Sequence, residues 1–421
     1  MKLLRNAAAF AALARSGRYD RPALRRLQER KLRRLVAHAH RTVPFYRERW
    51  DACGIDPRSI RSLDDLEKLP IVTKREMQAA GPAATTSTAF DARALVVERT
   101  SGSSGRPFTV HQDARWLAVR RALFLRGLRA TGFRLGHRLL MLTSGERPPP
   151  PRISRWRAIS YKAPPGRILD ELDRFRPHLL YGWVTPLRQL ALQARAGGRT
   201  PHAPLAIVTT AETLDPEARR LLEETFAARV FELYGLTEMG TAAWRCPSGG
   251  GFHLAEDASI AELRGTATPG GATPLVMTNL ELRATPFIRF ETGDLAVAGG
   301  EGRCACGSRF ARLERVEGRL VDCVRLRDGR LVSPFELTLA LEHIPGLERY
   351  QVLQEELDRF TVRHEGPEEG FSERERSVRQ ALEQVLGGGC RVRLERRPNL
   401  DPPAGRKFRV VESRFGTEAG I

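Results

Sequence analysis

The chain has 421 residues, 41% hydrophobic and 28% charged, which describes a soluble globular protein of two or three domains. Six cysteines (Cys53, Cys246, Cys304, Cys306, Cys323 and Cys390) are too few for a secreted disulfide scaffold, and no apolar run reaches the length of a membrane span. The net charge of +19 comes from arginine, since only six of the 69 basic residues are lysine (Lys2, Lys31, Lys68, Lys74, Lys162 and Lys407). A polyanion-binding surface and a solvated, arginine-biased surface both fit. The arginines are spread along the chain, with one dense patch over 21–34, so nucleic acid is not an expected partner.

At the N-terminus, Lys2 and Arg5 precede an alanine-rich run over 7–14 that superficially resembles a signal peptide. Alanine in place of leucine, and Arg15 directly after it, favour an N-terminal helix and a cytoplasmic protein. Leu24, Leu27, Leu32, Leu35, Val36 and Ala39 repeat at helical spacing with arginines opposite, which predicts a basic amphipathic helix over 22–39. Pro44-Phe45-Tyr46 breaks it, a second helical stretch runs to Cys53-Gly54, and 62–66 reads as a short capped helix closed by Leu69-Pro70.

An apolar β-type run over 94–97 leads into TSGSSGRPFTV at 100–110. Thr100, Ser101, Ser103 and Ser104 supply hydroxyls, Gly102 and Gly105 remove side-chain bulk, and Phe108-Thr109-Val110 continues as a strand. These residues fit a surface hairpin turn as well as a loop that lets a polyanion approach backbone N–H groups. They do not fit a Walker A loop, because Arg106-Pro107 follows Gly105.

Next come a helix over 114–131, a strand over 138–143, a proline-rich loop over 147–151 and a helix over 170–176. A strand over 178–182, a helix over 186–196, and strands over 205–210 and 229–233 around a helix over 216–226 follow. This alternation predicts an α/β sheet. Short strands and glycine turns over 249–302 predict a β-rich subdomain. After Gly318-Arg319, a helix over 334–343, strands over 349–354 and 359–363, a helix over 372–386 and a strand over 391–394 make a small α+β unit. The expected fold is therefore α/β: a large N-terminal domain, 1–320, with mixed sheets and a β-rich subdomain, and a small C-terminal α+β domain, 321–421. There is no internal repeat.

Four more stretches carry chemistry. Thr210-Ala211-Glu212-Thr213-Leu214 and Leu233-Tyr234-Gly235-Leu236-Thr237-Glu238 each follow a strand. Phe290-Glu291-Thr292-Gly293-Asp294-Leu295 lies in the β-rich part, and Gly318-Arg319 with Asp322 marks the domain junction. Singly, a carboxylate near a glycine is usually a turn former. In this order, with TSGSSG upstream, the set resembles the adenylate-forming enzymes: acyl-CoA ligases, luciferases and peptide-synthetase adenylation domains. Val43-Pro44-Phe45-Tyr46, Leu63-Asp64-Asp65-Leu66, Leu69-Pro70 and Arg176-Pro177-His178-Leu179-Leu180-Tyr181-Gly182 resemble the phenylacetate–CoA ligase and coenzyme F390 synthetase branch. The chain is similar, too, to members of that branch associated with capsule polysaccharide synthesis.

The resemblance implies an ATP-dependent activation of a carboxylic acid to acyl-AMP, with pyrophosphate released, followed by transfer to coenzyme A. The acid would be aryl or arylacetic. The hydroxyls and N–H groups of Thr100, Ser101, Gly102, Ser103, Ser104 and Gly105 would hold the β- and γ-phosphates. Tyr234 would face adenine, with Ala211 and Glu212 at its edge; the acid pocket would lie near Tyr181-Gly182-Trp183 and along Gly235 to Gly240. Thr237 would donate to the α-phosphate, Glu238 would bind Mg²⁺, and Asp294 and Arg319 would hold the ribose. These are positioning and electrostatic roles, as phosphoryl-centre chemistry requires.

Lys407, in Pro402-Pro403-Ala404-Gly405-Arg406-Lys407-Phe408-Arg409, resembles the family's C-terminal Gly-Lys motif, a point charge that would bridge the attacking carboxylate and the α-phosphate. Three positions depart from the pattern. Arg106 stands where lysine is common, Arg406 intervenes before Lys407, and Asp322 is a single aspartate where a pair is common. Asp322 would be the hinge about which the mobile small domain rotates between half-reactions.

Cys246-x6-His253 and Cys304-x-Cys306 flank the β-rich segment. Their thiolates and imidazole suit a tetrahedral structural zinc site, and equally four reduced side chains beside glycine turns; a similar Cys/His set in related ligases favours zinc. Two rivals remain. One keeps the adenylation but ends in an amide or ester, in polysaccharide or secondary metabolite synthesis. The other is a non-catalytic, polyanion-binding descendant, against which Glu238, Asp294 and Lys407 together speak. A homodimer stays open.

Overall fold

The structure, a computed structural model, describes residues 2–100, 108–143, 155–300, 302–319, 322–341, 343–347, 349–400 and 408–415. Among these, eleven strands form one sheet. Its first half is parallel, in the order Trp156–Ser160, Leu139–Thr143, Leu179–Trp183, Ala206–Thr210 and Arg229–Leu236. Its second half is antiparallel, in the order Gly240–Arg245, Phe252–Leu254, Arg312–Arg319, Phe290–Ala298, Thr273–Asn279 and Ser259–Leu263. The β-rich stretch expected over 249–302 is thus present, hydrogen-bonded in continuity with the parallel half.

Side chains alternate across the parallel strands, and each face is covered. Leu140, Leu180, Ile207 and Val230 point to one face, where the helices Pro165–Phe175, Val184–Ala196 and Pro216–Phe226 bury Leu172, Leu187 and Leu222. Leu139, Leu179, Val208 and Phe231 point to the other, with Trp116, Val119 and Leu123 of the helix Ala114–Ala130. That second cluster also takes in Leu32, Leu35 and Val36 of the helix Arg21–Thr42, whose apolar stripe is the one read from its spacing.

Val43 is extended and Pro44 starts the next helix, Pro44–Ala52, where its missing N–H costs nothing. The break puts Tyr46 in the core. Its hydroxyl donates to the Pro286 carbonyl at 3.0 Å and accepts the Ile288 N–H at 3.0 Å. Tyr46→Phe strands two buried backbone groups, and should lower the unfolding free energy by about 2–4 kcal/mol in denaturant titration with an unchanged m-value.

The N-terminal helix Lys2–Ser16 is tied down by a buried network. Arg126 grips fully buried Asp257 through both oxygens, at 2.8 and 2.6 Å, and donates to the Leu13 carbonyl at 3.0 Å. Ser16 donates to the same carboxylate. Arginines of the dense patch also carry ion pairs, Arg21 with Glu256 and Arg25 with Glu29 and Asp64.

The C-terminal unit has a four-stranded sheet in the order Arg391–Arg396, Arg359–His364, Tyr350–Glu356 and Val411–Ser413. The helices Pro334–Leu341 and Phe371–Leu386 bury Leu337, Leu341, Val378 and Leu382 against it. Several strands are additions to the sequence expectation, among them Gly240–Arg245, Arg312–Arg319, Val411–Ser413 and Trp156–Ser160. Val411–Ser413 is too short to show a period, and Trp156–Ser160 is a half-exposed edge with no apolar run. Among the described residues no helix is long and apolar enough to cross a membrane.

Candidate active site

The sheet changes direction at one place. The parallel run ends at Arg229–Leu236, and Gly240–Arg245 returns antiparallel beside it. In open α/β sheets, ligands sit outside the carboxyl ends of the parallel strands. Two of the predicted motifs leave strands there.

Ala211 follows Ala206–Thr210 and takes φ 67°, left-handed for a residue that carries a Cβ. This costs about 1–2 kcal/mol and turns the chain sharply. Glu212 then accepts the Thr185 N–H at 2.7 Å, at the start of the helix Val184–Ala196. That N–H is one of the donors a helix cannot satisfy internally, and the helix dipole favours a carboxylate there.

Thr237-Glu238-Met239 forms the turn between Leu236 and Gly240, closed by the Met239 N–H to the Leu236 carbonyl at 3.2 Å. A Cβ on Gly235 would lie 2.7 Å from the Gly240 carbonyl oxygen, so the close approach of the two strands dictates glycine. Thr237 is half-buried and Glu238 is buried. The Glu238 carbonyl accepts from Nδ2 of Asn279 at 2.7 Å. Asn279 carried no signal in the sequence: it sits at the end of Thr273–Asn279 in a stretch read only for its glycine turns.

The Tyr234 hydroxyl donates to Oδ2 of Asp294 at 2.6 Å, joining two motifs 60 residues apart. Gly293 at φ 77° lets the strand bulge, and the Thr292 hydroxyl accepts the Asp294 N–H at 3.1 Å while donating to the Leu275 carbonyl at 2.8 Å. Burial and the Asp294 carboxylate push the Tyr234 hydroxyl well above its ordinary pKa, so it stays protonated and a donor. Arg319 pairs with Asp294 in the register of the adjoining strands. A Cβ on Gly318 would meet the Thr213 hydroxyl at 3.3 Å. The motifs around Glu212, Tyr234, Glu238, Asp294 and Arg319 therefore converge on one region of the sheet, among its interior strands.

Other expected residues cannot be placed this way. Ser101, Gly102, Ser103, Ser104, Gly105, Arg106 and Lys407 lie outside the described residues, as do the side chains of Thr100 and Arg319. The backbone of Thr100 ends the strand Val96–Thr100, which pairs antiparallel with Phe108–Gln112. Asp322, the hinge candidate, forms an ion pair with Arg409, two residues beyond Lys407.

Cys246, His253, Cys304 and Cys306 meet in a second cluster, with their ligand atoms all within 4.8 Å of one another. The Cys246 and Cys304 sulfurs are 3.4 Å apart, and Cys306 Sγ is 3.2 Å from His253 Nε2. Ligands around a tetrahedral zinc lie about 3.3–3.8 Å apart by its bond lengths, so the set fits that ion. Nδ1 of His253 faces the Phe310 carbonyl at 3.4 Å, which leaves Nε2 for a metal. Burial pulls the His253 pKa down, favouring the neutral imidazole a metal needs. Burial opposes ionisation of Cys304, but the Cys306 N–H and the Cys246 thiol hold its pKa down to about 7.

No family model matches the chain. It is similar to a phenylacetate–coenzyme A ligase of Thermus thermophilus, 29% identical over 363 residues, covering 79% of this chain and 78% of that one. It is also similar to the phenylacetate–coenzyme A ligase of Escherichia coli, 26% identical over 339 residues and 75% of each chain. A crystal structure of 2-hydroxyisobutyryl-CoA ligase, in the postadenylation state with 2-HIB-AMP, superposes with a TM-score of 0.80 at 22% identity, over 95% of this chain and 92% of that chain. The fold is thus that of the adenylate-forming acyl-CoA ligases, and the resemblance read from the motifs is borne out in sequence relatives and in fold.

Proposed function

We infer from this kinship with the phenylacetate–coenzyme A ligases that the protein is an AMP-forming acid–thiol ligase. It activates a carboxylic acid with ATP and passes the acyl group to coenzyme A. The observation that carries the reading is the Tyr234–Asp294 hydrogen bond, formed near Glu238 where the parallel half of the sheet meets the antiparallel half.

In the first half-reaction a carboxylate oxygen attacks the α-phosphorus, and pyrophosphate leaves with its electron pair. In the second, the thiol sulfur attacks the acyl carbonyl, the thiol proton is lost and AMP leaves. The mixed anhydride is itself the activated species, so no side chain need become covalently attached. The protein orients and stabilises charge. Tyr234, held by Asp294, presents a fixed ring to adenine, and the Ala211–Glu212 backbone borders it. Asp294 and Arg319 take the ribose hydroxyls, and Thr237 donates to the α-phosphate. Thr100 to Gly105 take the leaving phosphates, and Lys407 meets the α-phosphate and the incoming carboxylate.

The buried Glu238 carboxyl, on a turn fixed by Asn279, suits Mg²⁺, whose remaining ligands would be phosphate and water. That ion would neutralise charge on the phosphates. The small domain, 321–421, would turn about Asp322 between the two half-reactions. An aryl or arylacetic acid is the expected substrate. The test is pyrophosphate release with a panel of acids, with and without CoA. Acid-dependent release and a CoA ester support the ligase. Release without a thioester favours an amide- or ester-forming ligase, and no release with any acid contradicts the enzyme reading.

The four-residue cluster is assigned to structural zinc. Metal analysis of the purified protein should find one zinc per chain. Cys304→Ser should lose it and unfold about 5–10 °C lower, by the usual relation between stability and midpoint. Unchanged melting in a zinc-free protein would contradict the assignment.

A further inference from the structure

The glutamate proposed to hold Mg²⁺ is buried on a three-residue turn, so the place of its carboxylate follows the place of that turn. Besides its own closing hydrogen bond, the turn is held by packed neighbours. Beneath it, a Cβ on Gly240 would meet the Trp116 ring at 3.1 Å, so the ring of the Ala114–Ala130 helix lies flush against the backbone. Beside it, Nδ2 of Asn279 donates to the Glu238 carbonyl at 2.7 Å.

Asn279 is 1% exposed, and its own position is over-determined. Its Oδ1 accepts the N–H groups of Glu281 at 2.9 Å and Leu282 at 3.0 Å, and its backbone N–H donates to the Phe287 carbonyl at 2.9 Å. Phe287 stands between Pro286 and Ile288, the two residues held by the Tyr46 hydroxyl. Arg289, which follows, is itself buried and paired with Glu262, and donates to the Leu69 carbonyl at 2.5 Å. The amide group therefore projects from a rigid, buried segment toward the one backbone carbonyl that belongs to Glu238.

We propose that Asn279 is a positioning residue for Glu238: it fixes the turn so that the carboxylate is pre-set to hold the metal-bound phosphates of ATP. It touches neither substrate nor metal. The proposal rests on the functional reading above. A rigid support of this kind matters because a site about 1 Å too loose loses much of its effect.

The two ends of the amide do separate work, which gives a discriminating variant. Asn279→Asp keeps an oxygen for the Glu281 and Leu282 N–H groups but replaces the donor that faces the Glu238 carbonyl. The buried carboxylate costs stability in either case, but a role confined to the local segment predicts no difference between ATP and AMP in the folded variant. The positioning role predicts a loss confined to metal-bound nucleotide. In calorimetry, ATP affinity in Mg²⁺ should fall about tenfold, the size of one lost hydrogen bond, while AMP affinity in EDTA stays unchanged. In steady state, the KM for Mg-ATP should rise by a similar factor and the KM for the acid should not. Thermal unfolding establishes that the variant is folded; if it is not, Asn279→Ser is judged by the same ATP-to-AMP comparison.

Equal losses for ATP and AMP, or no loss for either, would overturn the proposal. If wild type releases pyrophosphate with some acid while Asn279→Asp matches it throughout, only this inference falls. If wild type neither binds ATP nor releases pyrophosphate, the functional reading falls and takes the inference with it.

Discussion

Lys407→Ala is expected to lower acid-dependent pyrophosphate release by about 10²–10³-fold, the usual cost of removing one charged group aimed at a developing anion. The lysine is the only one after Lys162 in a chain that otherwise uses arginine. Its proposed task needs a compact point charge that fits between the carboxylate and the α-phosphate, so Lys407→Arg should not restore the rate. Thioester formation from acyl-AMP supplied ready-made should survive in Lys407→Ala, because the second half-reaction transfers an acyl group already activated. Measuring both half-reactions separates loss of chemistry from loss of fold. Full adenylation by Lys407→Ala would refute the assigned role.

The second large effect is expected at Asp294. Its carboxylate receives the Tyr234 hydroxyl and is proposed to receive ribose hydroxyls as well. Charge-assisted hydrogen bonds are worth about 1.5–3 kcal/mol each, so Asp294→Ala should raise the KM for ATP about 10²-fold. It also leaves the Tyr234 hydroxyl with its carboxylate partner gone, and the protein should lose about 1–3 kcal/mol of stability. Tyr234→Phe keeps the carboxylate and the ring, so its KM should rise only about threefold to tenfold. An unchanged KM for ATP in Asp294→Ala would contradict the site.

Much of the candidate site was legible because its motifs lie at strand ends or at a strand bulge, where residue choice answers to local geometry. Gly235 and Gly293 are glycines for backbone reasons, Glu212 and Glu238 lie just past strand ends, and Asp294 follows the glycine of a strand bulge. The helices around the sheet were legible for the same local cause, since their apolar periods match the faces they bury. Asn279 was not, because the carbonyl it holds lies 41 residues away and only the order of strands brings the two together. Tyr46 stood out as part of a recognisable string, but its bonds reach 240 residues to Pro286 and 242 to Ile288. Spacing encodes a face of a helix or strand; it does not encode which strand lies beside which. The Cys/His cluster is an intermediate case. The spacing suggested two pairs, and the antiparallel pairing of Phe252–Leu254 with Arg312–Arg319 is what carries His253 toward the segment bearing Cys304 and Cys306.

In the proposed reaction the acid's own oxygen becomes bonded to the α-phosphorus. That bond is tested most directly by supplying an accepted acid labelled with ¹⁸O in its carboxylate, together with ATP and CoA, and weighing the AMP and phosphate products. Attack by the carboxylate leaves one ¹⁸O atom in AMP, none in pyrophosphate, and an acyl-CoA that retains the other. Label appearing in inorganic phosphate, or AMP formed without label, would contradict it.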